Sequence, residues 1–157
     1  MFYCRKEELR IMNRRYDKGR FECIVIYGRR RVGKTALINE FCKGKETIYF
    51  SALNASSVEN LEALSKAIYL CKNPEGSNAP TYQSYADALD EITAMAKQRR
   101  IVFVIDEYPY LAKAEKSISS RLQHIIDHVW QETELYLILC GSSMSFMEYQ
   151  VLGYESP

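Results

Sequence analysis

The sequence predicts an α/β fold in which a parallel sheet is packed between two layers of helices. Four short apolar segments alternate with helical patterns along the 157 residues, and this alternation is typical of crossover units with parallel strands. Three of the four apolar segments are followed directly by glycine, serine or acidic residues. Because ligand sites in such sheets lie beyond the carboxyl ends of the strands, these three ends are predicted to form one site.

The first two elements are a helix and a strand. A helix is predicted over residues 5–18, where Leu9, Met12 and Tyr16 recur at helical spacing. The strand is residues 21–27, which are almost wholly apolar and include β-branched side chains. Such a segment is typical of a strand that is buried on both faces of its sheet.

The middle of the chain is predicted to contain three helices and one strand. A helix runs from about Lys34 to Cys42, and residues 47–50 form the second strand. Two helical stripes come next, and a surface loop rich in proline and asparagine, residues 72–80, separates them. The first stripe is Val58, Leu61, Leu64 and Ile68, and the second is Tyr85, Leu89, Ile92 and Ala96.

The last part of the chain is predicted to contain two strands and one helix. Residues 101–105 form the third strand, which ends in two acidic residues. A helix begins at about Ser117, and residues 135–140 form the fourth strand, which runs into a Gly-Ser-Ser turn. The apolar stripe of this helix is Ile118, Leu122, Ile125 and Val129.

The composition is that of an ordinary globular chain, 47% hydrophobic and 26% charged, with a formal net charge of +1. It excludes collagen-like, low-complexity and disordered classes and makes no general case for nucleic-acid or membrane-surface binding. No apolar run reaches the length of a membrane span or a signal-peptide core, and the five cysteines are scattered without a C-x-x-C pair. These features predict a cytoplasmic protein with reduced thiols and no membrane partner.

Residues 28–35 match the phosphate-loop pattern G-x-x-x-x-G-K-[ST]. Glycines let the backbone curl so that its N–H groups point at phosphate oxygens, and the following helix directs its positive end at the same point. Lys34 is expected to reach the β- and γ-phosphates, and the Thr35 hydroxyl to bind Mg²⁺. The sequence leaves open whether the three arginines of the loop face solvent or contact a phosphate or a partner. The predicted nucleotide-binding residues here are Gly28, Arg29, Arg30, Arg31, Val32, Gly33, Lys34, Thr35 and Ala36.

The acidic pair after the third strand is the expected companion of the phosphate loop. A carboxylate at that place can hold the Mg²⁺ that bridges the β- and γ-phosphates, and this role is assigned to Asp106. The adjacent Glu107 is assigned as the base that orients and deprotonates the attacking water. ATP is favoured over GTP, because the sequence contains no Asn/Thr-Lys-x-Asp segment of the kind that guanine-specific pockets carry.

A glutamate directly after the aspartate indicates the water-activating branch of phosphate-loop proteins rather than the small-molecule kinases. It also predicts that the strand at residues 135–140 lies between the first and third strands. Ser142 or Ser143 would then lie between the γ-phosphate and Glu107, where a hydroxyl could polarise the water. The alternative interpretation is a serine cap or turn after the strand.

These motifs resemble the archaeal-type ATPase family, a group of P-loop ATPases related to the STAND and AAA+ branches. The resemblance rests on the opening residues 2–9, on 26–35, on the Asp-Glu-Tyr-Pro run within 104–111, on 140–143, and on the final Ser-Pro. It implies binding of ATP with Mg²⁺, and hydrolysis at least in the intact protein. It also implies that an N-terminal helical segment, residues 1–20, lies near the adenine through Arg5, while residues 21–157 form the P-loop ATPase core.

The resemblance further implies a three-layer sandwich whose sheet has five parallel strands in the order 5-1-4-3-2. The chain supplies four strands, so the fifth strand and a helical lid are expected to be missing from it. The strand at residues 21–27 is therefore predicted to be an exposed sheet edge that is prone to pair with another chain. For the same reason, nucleotide binding by this chain is expected more than hydrolysis.

The leading functional hypothesis is an Mg²⁺-dependent ATPase core that couples its nucleotide state to a partner or to a C-terminal domain. Its catalytic residues would be Lys34, Glu107, Ser142 and Ser143, and its metal ligands Thr35 and Asp106. The alternative is a nucleotide-gated switch or scaffold that binds ATP with negligible turnover. The expected partners are ATP or ADP and a second copy or another protein, with DNA reached only through a region absent from this chain.

Overall fold

The structure is a computed structural model, and it describes residues 6–27 and 33–142. Six α-helices, one short 3₁₀ helix and four strands lie within these two ranges. The helices are α1 (Lys6–Tyr16), α2 (Lys34–Cys42), α3 (Ser57–Lys72), α4 (Tyr85–Gln98), α5 (Tyr108–Ala114) and α6 (Ile118–His128), and the 3₁₀ helix is Trp130–Glu132. The strands are β1 (Glu22–Tyr27), β2 (Thr47–Ser51), β3 (Ile101–Asp106) and β4 (Leu135–Gly141).

The four strands form one parallel sheet in the order β1-β4-β3-β2. β4 lies between β1 and β3, as the acidic pair after β3 predicts. Leu139 of β4 is level with Val25 of β1 and with Ile105 of β3, and Ile105 is level with Phe50 of β2, so the strands end at one edge of the sheet. The predicted α/β class and this part of the strand order are confirmed, and no fifth strand joins the sheet within the described residues.

Two apolar layers cover the two faces of the sheet. Even-numbered residues of β3 and β4 pack against α1 and α2, and odd-numbered residues pack against α3 to α6. Successive side chains of a strand point to opposite faces, so this parity continues to the ends of the strands and places Asp106 and Cys140 on the α2 side. None of the helices in the described part of the chain is long and apolar enough to cross a membrane.

β1 is a half-buried edge strand. All six of its residues are partly exposed, and within residues 6–27 and 33–142 it pairs only with β4. Among these residues β1 is thus a sheet edge, as predicted, whereas the prediction of burial on both faces is wrong. An edge strand lacks a neighbour on one side, so an apolar sequence alone does not bury it fully. Pairing of this edge with another chain stays a prediction.

The predicted apolar stripes are shifted in two helices. In α3, Val58 is 68% exposed while Asn60 is buried, because the Asn60 side chain exchanges hydrogen bonds with the backbone of Leu53. In α6, Ile126 is buried and Ile125 only partly so. Spacing alone does not identify the buried face when a polar side chain can satisfy its hydrogen bonds inside the protein.

Arg100 ties the N-terminal helix to the amino end of the sheet. Its Nη1 donates to the carbonyl oxygens of Arg20 and Glu134, each at 2.6 Å, and its Nη2 donates to that of Arg15 at 3.4 Å. The guanidinium carbon lies 5.0 Å from the centre of the Tyr16 ring. Burial lowers the pKa of Arg100 from its ordinary value. The cation is therefore poorly solvated and relies on these acceptors.

Replacing Arg100 with alanine is expected to destabilise the protein by about 2–4 kcal/mol, because charge-assisted hydrogen bonds to three carbonyls are lost. Arg100→Lys should restore only part of this free energy, since one ammonium cannot reproduce the planar fork of donors. Urea unfolding followed by circular dichroism measures both differences.

The neighbouring Arg99 provides a matched control. It forms a two-pronged ion pair with Glu46 on the surface, where its side chain is 40% exposed. Surface ion pairs contribute little, so Arg99→Ala should change the free energy of unfolding by less than about 1 kcal/mol. Equal losses for the two alanine variants would contradict the structural role of Arg100.

Candidate functional site

One cavity of about 260 Å³ lies at the carboxyl edge of the sheet. It is formed by the beginning of α2, the end of β3 and the residue after β4, which are three of the places that the sequence predicts to converge. Its described lining residues are Gly33, Lys34, Thr35, Ala36, Asp106, Glu107 and Ser142. The structure thus brings together the described part of the phosphate loop, the acidic pair and the first serine of the turn.

The beginning of α2 is open towards this cavity. Gly33 holds φ at 83°, a left-handed conformation that glycine adopts without steric cost, and no side chain caps the helix. By contrast, Ser56 caps α3 and Ser84 caps α4. The first N–H groups of a helix have no intrahelical acceptor, and the first turn of α2 contains no acidic residue. The positive end of α2 is therefore suited to an anion supplied by a ligand.

Lys34 and Thr35 differ in exposure at this helix start. Lys34 is 9% exposed, although its side chain carries an ammonium group, while Thr35 is exposed. A buried cation is stable only beside acceptors or opposite charge, and this requirement fits a lysine held next to a phosphate site. Thr35 lines the cavity, and its hydroxyl is a hard oxygen donor of the kind that Mg²⁺ binds.

Asp106 is flanked by donors from both neighbouring strands. The Tyr49 hydroxyl of β2 donates to Asp106 Oδ2 at 2.9 Å, and the Cys140 thiol of β4 lies near this carboxylate. Burial, with the nearby Asp106 charge, raises the pKa of Cys140 to about 12, and the same causes raise the pKa of Tyr49. Both groups therefore keep their protons at neutral pH, and the Tyr49 hydroxyl donates to the carboxylate.

Glu107 has a left-handed backbone, with φ 57° and ψ 45°, and it is the only non-glycine residue with positive φ in the described ranges. It precedes α5, whose second residue is Pro109. A non-glycine residue in this conformation stores about 1–3 kcal/mol of strain, which is common at functional sites. The turn brings the Glu107 carboxylate into the cavity, where the Ser142 hydroxyl donates to its Oε1 at 3.4 Å.

The donor set fits a hard divalent cation. The described residues contain no cluster of three or more histidine, cysteine or acidic side chains that could hold a metal by themselves. Mg²⁺ is commonly bound by one or two protein oxygens together with substrate phosphates and water. Thr35 and Asp106 supply such oxygens in one cavity, so these two residues could hold Mg²⁺ beside a bound nucleotide.

Several predicted site residues lie outside the described residues. They are Arg5, Gly28, Arg29, Arg30, Arg31, Val32 and Ser143. The proximity of residues 1–20 to an adenine is likewise not described. The roles assigned to these residues stay predictions.

Sequence reasoning missed two neighbours of Asp106 and one helix. Tyr49 and Cys140 were not among the predicted site residues, although strand parity could have placed both on the α2 face once the strand order was predicted. The helix α5 was also missed, because its seven residues begin with Tyr108-Pro109 and are too short for a clear periodic pattern. Proline at the start of a helix is a signal that could have found it.

A family model described as an ATPase domain predominantly from Archaea matches residues 2–157. The chain belongs to this family. The predicted resemblance is thereby confirmed, and family membership supports nucleotide binding and ATPase activity in general terms.

Relatives of this ATPase domain occur in Methanocaldococcus jannaschii. An uncharacterized protein of that organism is 34% identical over 166 residues, an alignment that covers 100% of this chain and 33% of the relative. An uncharacterized ATP-binding protein of the same organism is 48% identical over 46 residues, which cover 29% of this chain and 78% of that protein. The first of these relatives aligns with the whole of this chain, and the chain spans about a third of the length of that relative.

Solved structures similar to this ATPase domain show its fold. A Walker-type ATPase of Pyrococcus abyssi has a TM-score of 0.69 at 18% identity, and the match covers 94% of this chain and 47% of that one. The ORC1 protein of Aeropyrum pernix, solved in complex with DNA, has a TM-score of 0.67 at 19% identity, covering 97% and 42%. Together with the parallel sheet, these likenesses confirm the P-loop ATPase fold.

Glu107→Gly is expected to be more stable than Glu107→Ala by about 1 kcal/mol, because a Cβ atom penalises the left-handed backbone at this position. Both variants lose the carboxylate, so their comparison isolates the backbone conformation. Urea unfolding of the two proteins measures the difference.

Glu91, in the interior of α4, offers the matched control. Glycine in a helix interior is less stable than alanine by about 1 kcal/mol, so the order of the Gly and Ala variants should be reversed there. If the alanine variant were the more stable one at position 107 as well as at position 91, the Glu107 backbone would not be strained.

Proposed function

We propose that this ATPase domain binds ATP with Mg²⁺ in the cavity at the carboxyl edge of the sheet and hydrolyses it. One observation carries the proposal. The uncapped start of α2, Asp106 and Glu107 line a single cavity. An anion-binding helix end, a metal-binding carboxylate and a carboxylate able to accept a proton are the parts that hydrolysis of a phosphoanhydride requires.

Binding begins with the phosphates at the start of α2. The N–H groups of the first turn donate to phosphate oxygens, and the Lys34 ammonium neutralises charge on the β- and γ-phosphates. Thr35 and Asp106 hold Mg²⁺ through oxygen atoms. When bound, the metal offsets the negative charge that develops on the transferring phosphoryl group.

Glu107 accepts the proton of the attacking water. Its carboxylate faces the same cavity as Lys34, and the Ser142 hydroxyl hydrogen-bonds to Oε1. Ser142 thereby orients the carboxylate and leaves Oε2 to take up the water proton. The strained backbone at Glu107 keeps this side chain at the end of β3 rather than along a regular helix.

Coupling to a partner is the remaining part of the proposal. The relative that aligns with the whole of this domain is about three times as long. In such a protein, segments outside the ATPase domain can respond to the nucleotide state. A partner protein or a second copy fits the open edge of β1. The Aeropyrum pernix neighbour was solved in complex with DNA, and DNA is therefore a partner to test.

Replacing Lys34 with alanine is expected to weaken binding of Mg²⁺–ATP by about tenfold or more, because a charge-assisted contact to phosphate is lost. Titration calorimetry measures the affinity of the two proteins. Lys43→Ala is the control, since that lysine forms an exposed ion pair with Glu40 on the far end of α2. Equal affinity of the Lys34 variant and the wild type would reject the proposed site.

Single-turnover hydrolysis distinguishes an ATPase from a nucleotide-gated switch. Glu107→Gln is expected to slow hydrolysis by roughly 10²–10⁴-fold, since the general base is removed, while the affinity for ATP changes little. Glu115→Gln is the control, because Glu115 hydrogen-bonds to Ser57 and Ser117 outside the cavity. If wild type and Glu107→Gln bind ATP but hydrolyse it equally slowly, the switch replaces the ATPase as the function.

A further inference from the structure

Tyr49 makes a contact that the packing of its ring does not require. The ring belongs to the apolar layer on the α2 face of the sheet, where a phenylalanine would fill the same space. Its hydroxyl, however, reaches along the sheet from the level of Val104 to the carboxylate of Asp106 two residues further on. The 2.9 Å hydrogen bond to Oδ2 joins residues that are 57 positions apart in the sequence.

The Tyr49 hydroxyl can orient the Asp106 carboxylate without neutralising its negative charge. A phenol that donates to a carboxylate fixes the rotation of the carboxylate without cancelling its negative charge. A lysine or arginine at the same place would also orient Asp106, but its positive charge would oppose binding of a cation. Tyr49 therefore occupies one carboxylate oxygen, Oδ2, and leaves the negative charge of Asp106 to a metal ion.

The strand on the other side of β3 adds a weaker donor to the same group. The Cys140 thiol lies near the Asp106 carboxylate, and a thiol is a weak donor. The outer strand β2 thus supplies the stronger restraint. Side chains that hydrogen-bond to metal ligands typically raise metal affinity by fixing those ligands before the metal arrives.

We propose that Tyr49 is a positioning residue for Mg²⁺, whose hydroxyl holds Asp106 Oδ2 so that Oδ1 is presented to the metal. This inference rests on the proposed function, because it requires that Asp106 is a metal ligand. It adds a residue outside the phosphate-loop and acidic motifs. It explains the tyrosine at position 49, in place of phenylalanine, by metal binding rather than by packing in the apolar layer.

Tyr49→Phe is expected to raise the Mg²⁺ concentration needed for half-maximal nucleotide binding by roughly 10–100-fold. The probe is a fluorescent ATP analogue at fixed concentration, titrated with MgCl₂ in the full chain. A parallel titration with Mn²⁺, read by electron paramagnetic resonance, reports metal binding directly. In EDTA, the affinity of the variant for the same analogue should equal that of the wild type, since the phosphate contacts are intact.

Tyr136→Phe is the matched control. Tyr136 lies in the same apolar layer, and its hydroxyl donates to the Met12 carbonyl rather than to the cavity. This variant removes the same atom from a buried hydrogen bond, so it should lower the melting temperature while leaving the Mg²⁺ midpoint unchanged.

The outcomes separate this inference from the proposed function. If nucleotide binding by the wild type does not depend on Mg²⁺, the metal-dependent function itself is rejected, and the inference with it. If the wild type depends on Mg²⁺ but Tyr49→Phe has the same midpoint, only the inference is overturned. It is also overturned if Tyr49→Phe loses affinity equally in EDTA, or if Tyr136→Phe shifts the midpoint as far, because either result indicates a merely structural role.

Discussion

The structure depends on the burial of β3 between β4 and β2. Residues 101–105 are fully buried, and residues 102–105 are paired on both sides. The ladders satisfy their backbone polar groups, and their side chains need apolar neighbours on both faces. Asp106 is the first residue of the strand that is partly exposed. A carboxylate cannot remain in the apolar interior without partners, so the end of the buried ladder and the beginning of the polar site coincide.

The site combines two local features, a helix start that no side chain caps and a left-handed backbone at Glu107. Ser56 and Ser84 cap α3 and α4, whose first turns also contain acidic residues, whereas α5 and α6 have neither feature. α2 also begins with neither, and Glu107 adopts a backbone conformation that is unfavourable for its residue type. Such features persist where the surrounding structure enforces them and where a ligand or a reaction benefits. Both face the same cavity.

Much of the fold and of the site could be predicted because the relevant signals are local. The phosphate-loop pattern, the acidic pair and the apolar strands are each contained in a few consecutive residues, and the placement of β4 followed from the acidic pair. The buried face of α3 could not be predicted from spacing, because the polar Asn60 is buried through hydrogen bonds to the Leu53 backbone in the preceding loop. The role of Arg100 was missed because its acceptors come from separate parts of the chain.

The sequence by itself determined the class of fold, the residue types that follow three strands and the family of the chain. Only the tertiary structure decided that Lys34 is buried, that Glu107 is left-handed, that β1 is half-exposed, and that the Tyr49 hydroxyl donates to Asp106. For the contact between Tyr49 and Asp106, the physical reason is the register in which β2 and β3 pair. A shift of one residue between paired strands would turn every side chain to the opposite face. The contact between Tyr49 and Asp106 therefore depends on how two strands align, which neither segment encodes alone.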